Sequence, residues 1–357
     1  MDVLPEDSGD VHVVHRCLAT VRGARSHYQP VTVDVRDGGA ACRFLMAVLA
    51  VTEGEWLLTG TPRLLERPIE PLVHALTTAG AAIVRTDCGW LISGRPLHAE
   101  SITVDCTLSS QFASALLLIG PKIGLKDLTI LPATPPSEPY ISLTRHVVSA
   151  VLADVPFRRE ADWSTAAFWY AFLLLSPEIE ELTLKNLRID SVQGDVFTSF
   201  IFKELGVFSK QKDEGVLLQK NRCFKPDLNL YFNLESHPDL APVLAVTAAM
   251  LPLSVTLDGL GNLNQKESRR LDALACELLP FATVEVSDGN TLRIRGDKMG
   301  KSVSAPVVIH THGDHRLVMA FSLLSLQYDV QLSDIECVVK SYPQFENFFH
   351  PPKSIGK

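Results

Sequence analysis

Residues 58–94 and 257–296 share one layout, and any fold for this chain has to build it twice. Each stretch opens on an apolar strand pattern that stops at a glycine, runs through a charged segment into leucines at helical spacing, and closes on a second strand pattern ending in glycine. In the first, Gly60 is followed by Glu66 and Arg67, then by Leu72 and Leu76, with Gly94 at the close. In the second, Gly259 is followed by Lys266, Glu267 and Arg270, then by Leu274 and Leu278, with Gly296 at the close. A weaker third copy runs from Leu184 through Gln193, Gly194 and Asp195 to Leu205, Gly206 and a strand pattern at 215–218. Repeats of this size imply a fold assembled from similar α/β units.

Between the copies lie helices with cap signals: Ser109 and Ser110 before 111–119, Asp162 before 163–175, and Pro238 and Asp239 before 240–250. A further helix begins at Asp314, His315 and Arg316. Their interiors are almost wholly apolar, which predicts helices buried on all sides beneath a sheet. With 357 residues, 46% of them hydrophobic, the chain is long and apolar enough for two cores. The turn-rich span 132–139 separates strand from helix within the first half, whereas the charged stretch 157–161 marks a division. The expectation is two domains, 1–159 and 160–357.

A net charge of −8 offers no basic field for nucleic acid, so cationic side chains gathered at a site must be placed there locally, and small anions are the expected ligands. The apolar runs are too short for a membrane span, and the seven cysteines form no CxxC pair. Both point to a reducing, cytoplasmic setting.

Arg67, Lys266, Arg270 and Arg316 are read as basic residues at element starts, where a helix N-terminus already favours anions and an arginine adds a planar fork. Taken singly, each is more readily a solvated helix-end charge; four in analogous places favour a phosphate or carboxylate site. Asp239 and Glu267 could serve acid-base chemistry if the fold unites them, with Lys266 tuning the carboxylate, or could be a cap and a first-turn acid. Ser109, Ser110 and Ser137 stand at turns where a hydroxyl caps a helix or binds phosphate. His310, just ahead of THGDHR, and His312 and His315 within it lack the spacing and fourth ligand of a zinc site, so no metal is expected. His12 and His15 are assigned nothing.

The segments RDGGAACRFL, LTGTPRLLERPI, SSQFASALLL, SEPYISLT, DWSTAA, QGD, HPDLAPVLAV, GNLNQKESRR, THGDHRLVMAFSL and KSYPQF follow one another in order from about Asp7 to Phe348. Together they resemble the 5-enolpyruvylshikimate-3-phosphate synthase family of enolpyruvyl transferases. The resemblance implies an α/β fold of two domains, each built from repeated βαβαββ units with inward-facing helices, the first unit incomplete here, and a cleft between the domains. It also implies two small-molecule partners, phosphoenolpyruvate and shikimate 3-phosphate, no cofactor, and a monomer. Ser109, Ser110 and Ser137 would hold the shikimate phosphate with Gln111 and Tyr140 nearby, and Asp239, Asn262 and Lys266 the ring hydroxyls. Arg67, Gln111 and Lys340 would hold the phosphate of phosphoenolpyruvate, Arg270 and Arg316 its carboxylate, and Gly39 would approach it closely. Asp239 would accept the 5-hydroxyl proton and Glu267 would protonate the methylene carbon.

The family normally opens with a strand and a Lys-Ser-x-Ser-x-Arg segment that touches substrate, and nothing before Leu4 supplies it. Its Lys-Glu-x-Asp-Arg pattern reads here as Lys266, Glu267, Ser268, Arg269 and Arg270, and its Gly-Thr as Gly39 and Ala40. An active transferase and a silent homologue that binds anions without turnover therefore both stand as expectations. A UDP-sugar enolpyruvyl transferase is the weaker fit, because the loop at 60–66 lacks the cysteine of that relative.

Overall fold

A computed structural model describes residues 7–24, 29–156, 159–298 and 306–345. The chain divides into two compact units, Met1–Pro156 and Phe157–Lys357. The first unit contains α1 (Gly9–Gly23), β1 (Val31–Asp34), α2 (Gly39–Ala50), β2 (Gly54–Thr59), α3 (Pro62–Leu65), α4 (Glu70–Thr78), β3 (Ala82–Thr86), β4 (Gly89–Gly94), β5 (Ser101–Asp105), α5 (Gln111–Ile123), β6 (Asp127–Leu131) and α6 (Glu138–Leu152). The second contains α7 (Trp163–Leu175), β7 (Glu181–Lys185), α8 (Thr198–Lys203), β8 (Val207–Lys212), β9 (Gly215–Lys220), β10 (Asn229–Asn233), α9 (Ala241–Ala249), β11 (Ser254–Asp258), α10 (Arg270–Glu277), β12 (Thr283–Ser287), β13 (Thr291–Arg295), β14 (Val307–Ile309), α11 (His315–Ser322) and β15 (Val330–Leu332).

The repeat is visible in the strand pairing. In the first unit the order β1-β2-β4-β3 joins a parallel pair to an antiparallel hairpin, and β10-β11-β13-β12 does the same in the second. The third copy keeps the hairpin and the strand beside it, as β7-β9-β8, without a parallel partner. Two half-copies were not legible in the sequence: β5 and β6 are a parallel pair joined through α5, and β14 and β15 are joined through α11. Such parallel pairs need a crossover, which the buried helices supply.

Glycine marks equivalent close approaches in the two full copies. A Cβ on Gly94 would lie 1.8 Å from the Thr52 carbonyl oxygen, and one on Gly296 would lie 1.8 Å from that of Leu251. Each glycine lets the end of a central strand cross the end of the helix beneath it. Of these two helices α9 is among those that the apolar sequence predicts, as is α7. Ala241 to Ala249 of α9 are all buried, as are Trp163, Phe168, Tyr170 and Leu173 of α7. In the first unit α2 packs against α5, sealing Met46, Leu49, Phe112 and Leu116 into one core. A side chain of this size contributes about 1.5 to 3 kcal/mol when fully removed from water.

Candidate active site

One topological rule places the candidate residues: each follows the C-terminal end of a strand from a parallel pair. Where Asp34 pairs with Thr59, the chain continues into Gly39 on one side and Arg67 on the other. Beyond the Asp105 and Leu131 pair come Ser109, Ser110 and Gln111, then Ser137 and Tyr140. Beyond the Asn233 and Asp258 pair come Asp239, then Asn262, Lys266, Glu267 and Arg270. Beyond the Ile309 and Leu332 pair come Arg316 and Lys340. Strand ends of this kind are the usual ligand edge of α/β sheets, because helix N-termini open there.

In the first unit the guanidinium of Arg67 lies against Gly39, so close that a Cβ on Gly39 would sit 2.5 Å from Arg67 Nη1. Arg67 follows the short helix α3 rather than opening one, as the sequence had suggested. Arg43, which sequence reasoning missed, braces this corner: it is buried, and it donates to the Gly39 carbonyl at 3.1 Å and to the Pro68 carbonyl at 2.7 Å. Ser109 Oγ accepts from Gln111 N at 3.3 Å, whereas Ser110 makes no side-chain cap, so the capping expected of the pair falls to one serine. Ser137 holds a left-handed backbone at φ 59°, ahead of α6, and its carbonyl accepts from Tyr140 N. Thr144 Oγ1 of α6 donates to Ser114 Oγ of α5 at 2.8 Å, locking these two helices side by side.

The second unit gathers charge more densely. Arg270 is fully buried and donates in three directions. Its Nε and Nη2 bind the two oxygens of Asp314 at 2.9 and 3.1 Å, its Nη1 binds Asp239 Oδ1 at 3.0 Å, and its Nη2 binds Glu267 Oε2 at 2.9 Å. Arg316 Nη2 reaches Asp239 Oδ2 at 3.1 Å, and Lys266 Nζ stands 3.5 Å from Asp239 Oδ1. Asp239, Lys266, Glu267, Arg270 and Arg316 are thus brought together. Asn262 immediately precedes the turn Leu263–Gln265 without capping it by its side chain, and Lys340 ends the turn Ile335–Lys340; the side chain of Lys340 lies outside the described residues.

Two readings change here. Asp239 does not cap a helix: it sits inside the 3-10 turn Pro238–Leu240, and its carboxylate serves the three cations. Asp314 does cap α11, through Arg316 N at 3.0 Å, but it is also the buried anion beneath Arg270, further held by Ser268 Oγ at 2.9 Å. Its place one residue ahead of a histidine-arginine pair was visible in sequence; its partner was not.

Burial alone would push the Asp239 carboxyl up, yet Arg316, Lys266 and Arg270 outweigh it and hold the group well below the usual carboxylate range. Asp314 is likewise lowered, burial being overcome by Arg270. For Arg270, burial opposes the charge while Asp314, Glu267 and Asp239 raise its affinity for the proton. The result is an ionised carboxylate among three cations, with a second carboxylate alongside, a concentration of charge suited to holding polar and anionic groups. Among the described residues no cluster of histidine, cysteine and acidic side chains could hold a metal ion.

Comparison with known proteins matches residues 6–158 and 147–349 to the family model of EPSP synthase (3-phosphoshikimate 1-carboxyvinyltransferase). The 3-phosphoshikimate 1-carboxyvinyltransferase of Bacteroides fragilis strain YCH46 is 36% identical over 339 residues, spanning 88% of this chain and 82% of that protein. Its counterpart from Pyrococcus abyssi is 31% identical over 335 residues, spanning 88% and 78%. Among solved structures, an EPSP synthase from Acinetobacter baumannii matches the fold with a TM-score of 0.63 at 20% identity, over 93% of this chain and 81% of that one.

Proposed function

Because the chain belongs to the EPSP synthase family, we infer that it transfers the enolpyruvyl group of phosphoenolpyruvate to the 5-hydroxyl of shikimate 3-phosphate and releases phosphate, in the shikimate pathway toward aromatic amino acids. The chain has the two-domain α/β enolpyruvyl transferase fold. The observation that carries the chemistry is the Asp239 carboxylate held between Lys266, Arg270 and Arg316, with Glu267 on the same arginine.

On this reading Asp239 and Glu267 divide the proton work. Asp239 takes the proton of the attacking hydroxyl while Glu267 delivers one to the methylene carbon, and a tetrahedral ketal forms. Loss of phosphate, with a proton returned from the methyl group, completes the exchange. Lys266 stabilises charge beside Asp239, and together with Asn262 it lies near the ring hydroxyls. Ser109, Ser110 and Ser137 hold the shikimate phosphate at two helix starts, with Gln111 and Tyr140 beside them. Arg67 against Gly39, with Gln111 and Lys340, takes the other phosphate. Arg316 and Arg270 take the carboxylate of phosphoenolpyruvate; Arg270 would have to exchange one of its present carboxylate partners to do so. The reaction makes and breaks carbon–oxygen and carbon–hydrogen bonds without redox change, so no step calls for a cofactor.

The same reading makes the working form a cytoplasmic monomer without a nucleic-acid partner. Among the described residues no helix is long and apolar enough to cross a membrane, and the net charge is −8.

Mixing the chain with both substrates should release phosphate, and Glu267→Gln should slow that release about a hundredfold while leaving calorimetric binding of shikimate 3-phosphate in place. Binding by the unaltered chain without phosphate release would overturn the transferase reading and leave a silent anion-binding homologue.

A further inference from the structure

The turn that carries Asp239 is held from behind by residues to which the reaction above gives no role. Pro238–Leu240 is a single 3-10 turn with His237 at its N-cap, and no side chain caps it. One such turn has little stability of its own, so the aim of Asp239 depends on what grips its ends. Leu240 N donates to the His237 carbonyl at 3.1 Å, and His237 N donates to the Leu234 carbonyl at 2.9 Å. The imidazole of His237 lies nearly flat on Phe197, with ring centroids 4.6 Å apart and 17° between planes. Its Nδ1 faces Asp195 Oδ1 at 3.7 Å, too long for a hydrogen bond and short enough for an ion pair. The other oxygen of Asp195 accepts from Ser164 Oγ at 2.5 Å.

These contacts form a path. Ser164 stands in the first turn of α7, whose N-cap Asp162 accepts from the backbone of Ser164 and Thr165. Asp195 and Phe197 belong to the turn Gly194–Phe197, and His237 is two residues from Asp239. Asp195 is 2% exposed, and a carboxylate so deep is costly unless its charge is used. What it faces, at 3.7 Å, is the Nδ1 edge of a ring clamped between it and a phenyl face.

We propose that Asp195, oriented by Ser164, is a positioning residue: through His237 it fixes the turn that aims Asp239 at the substrate hydroxyl. The inference rests on the proton-accepting role given to Asp239 above. A small displacement of such a group is enough to slow chemistry far more than it weakens binding.

The test compares the full-length chain with Asp195→Asn, His237→Gln and the double variant. Each single variant should lower kcat for phosphate release about tenfold or more, with KM for shikimate 3-phosphate rising no more than about threefold, because that ligand's charge is taken up by the serines ahead of α5 and α6. The double variant should be no slower than the worse single one, since both interrupt one path. If Asp195→Asn fails to fold, His237→Gln decides alone, its side chain being less deeply buried at 13% exposure. A folded His237→Gln with kcat within twofold of the unaltered chain overturns the proposal, as do independent, multiplying losses in the double variant. Should the unaltered chain release no phosphate, the transferase reading falls separately, and the carbon-13 carboxyl signal of Asp239 then judges the path. A shifted signal in His237→Gln supports it, and an unmoved one overturns it.

Discussion

Arg270 shows how far one side chain organises this protein. Three acids from separate segments, Asp239, Glu267 and Asp314, converge on a guanidinium with no solvent exposure. Replacing it with alanine leaves buried carboxylates facing each other, so Arg270→Ala should lose about 3 to 5 kcal/mol in urea denaturation, while exposed Arg269→Ala, paired only with Asp272 in the contacts described, should lose under about 1 kcal/mol. Gly39→Ala should act differently. Its new Cβ would push aside the end of a long side chain rather than backbone, so stability should hold while the calorimetric affinity for phosphoenolpyruvate falls about tenfold or more through displacement of Arg67. Thiol labelling gives an independent check on burial, which pushes both Cys42 and Cys106 up to about 11. Exposed Cys88, Cys223 and Cys276 should react with a thiol reagent at neutral pH, and Cys42 and Cys106 should stay protected until denaturant is added. Arg67, Lys266, Arg270 and Arg316 stood out in sequence as basic residues at element starts, whereas Lys340 entered only through the family resemblance. The pairing of Asp314 and the parts played by Ser268, Arg43 and Asp195 were not legible, because what distinguishes them is a partner between 25 and 46 residues away in the chain.

At the level of elements, sequence patterning revealed the copies that keep a full hairpin and missed those that do not. A hairpin leaves a strand, a turn and a strand ending in glycine, all local marks. The pairs β5 with β6 and β14 with β15 leave only two short strands and a helix, a pattern shared with any α/β crossover. The glycines of the full copies give this likeness an energetic test. Gly94→Ala and Gly296→Ala each drive a methyl group into a backbone carbonyl, in different units, so each should cost about 1 to 3 kcal/mol in urea midpoint analysis. Gly261→Ala, whose new Cβ would meet only the Asn290 side chain at 3.2 Å, should cost less than either.

For the whole molecule, the lowered carboxyls set the acid limit of stability. Asp239 and Asp314, both in the second unit, have folded values below the unfolded value of about 3.9. A group lowered in this way contributes its full stability above the unfolded value and loses it as pH falls through the folded one. The urea midpoint should therefore be flat on account of these groups from about pH 7 to 5 and decline below about pH 4. Because Asp314 is fully buried and Asp239 keeps only 17% of its side chain exposed, about 1 M salt should not abolish that decline, as it would for exposed pairs. Crowding the candidate residues onto one edge of each sheet leaves the opposite rim without chemical duties. In the first unit that rim includes the turns around Gly80 and Gly124, which adjoin the start of β3 and the end of α5. A dye, an affinity handle or a tether to a surface belongs there, where it could report on the protein at work without standing in the way of its ligands.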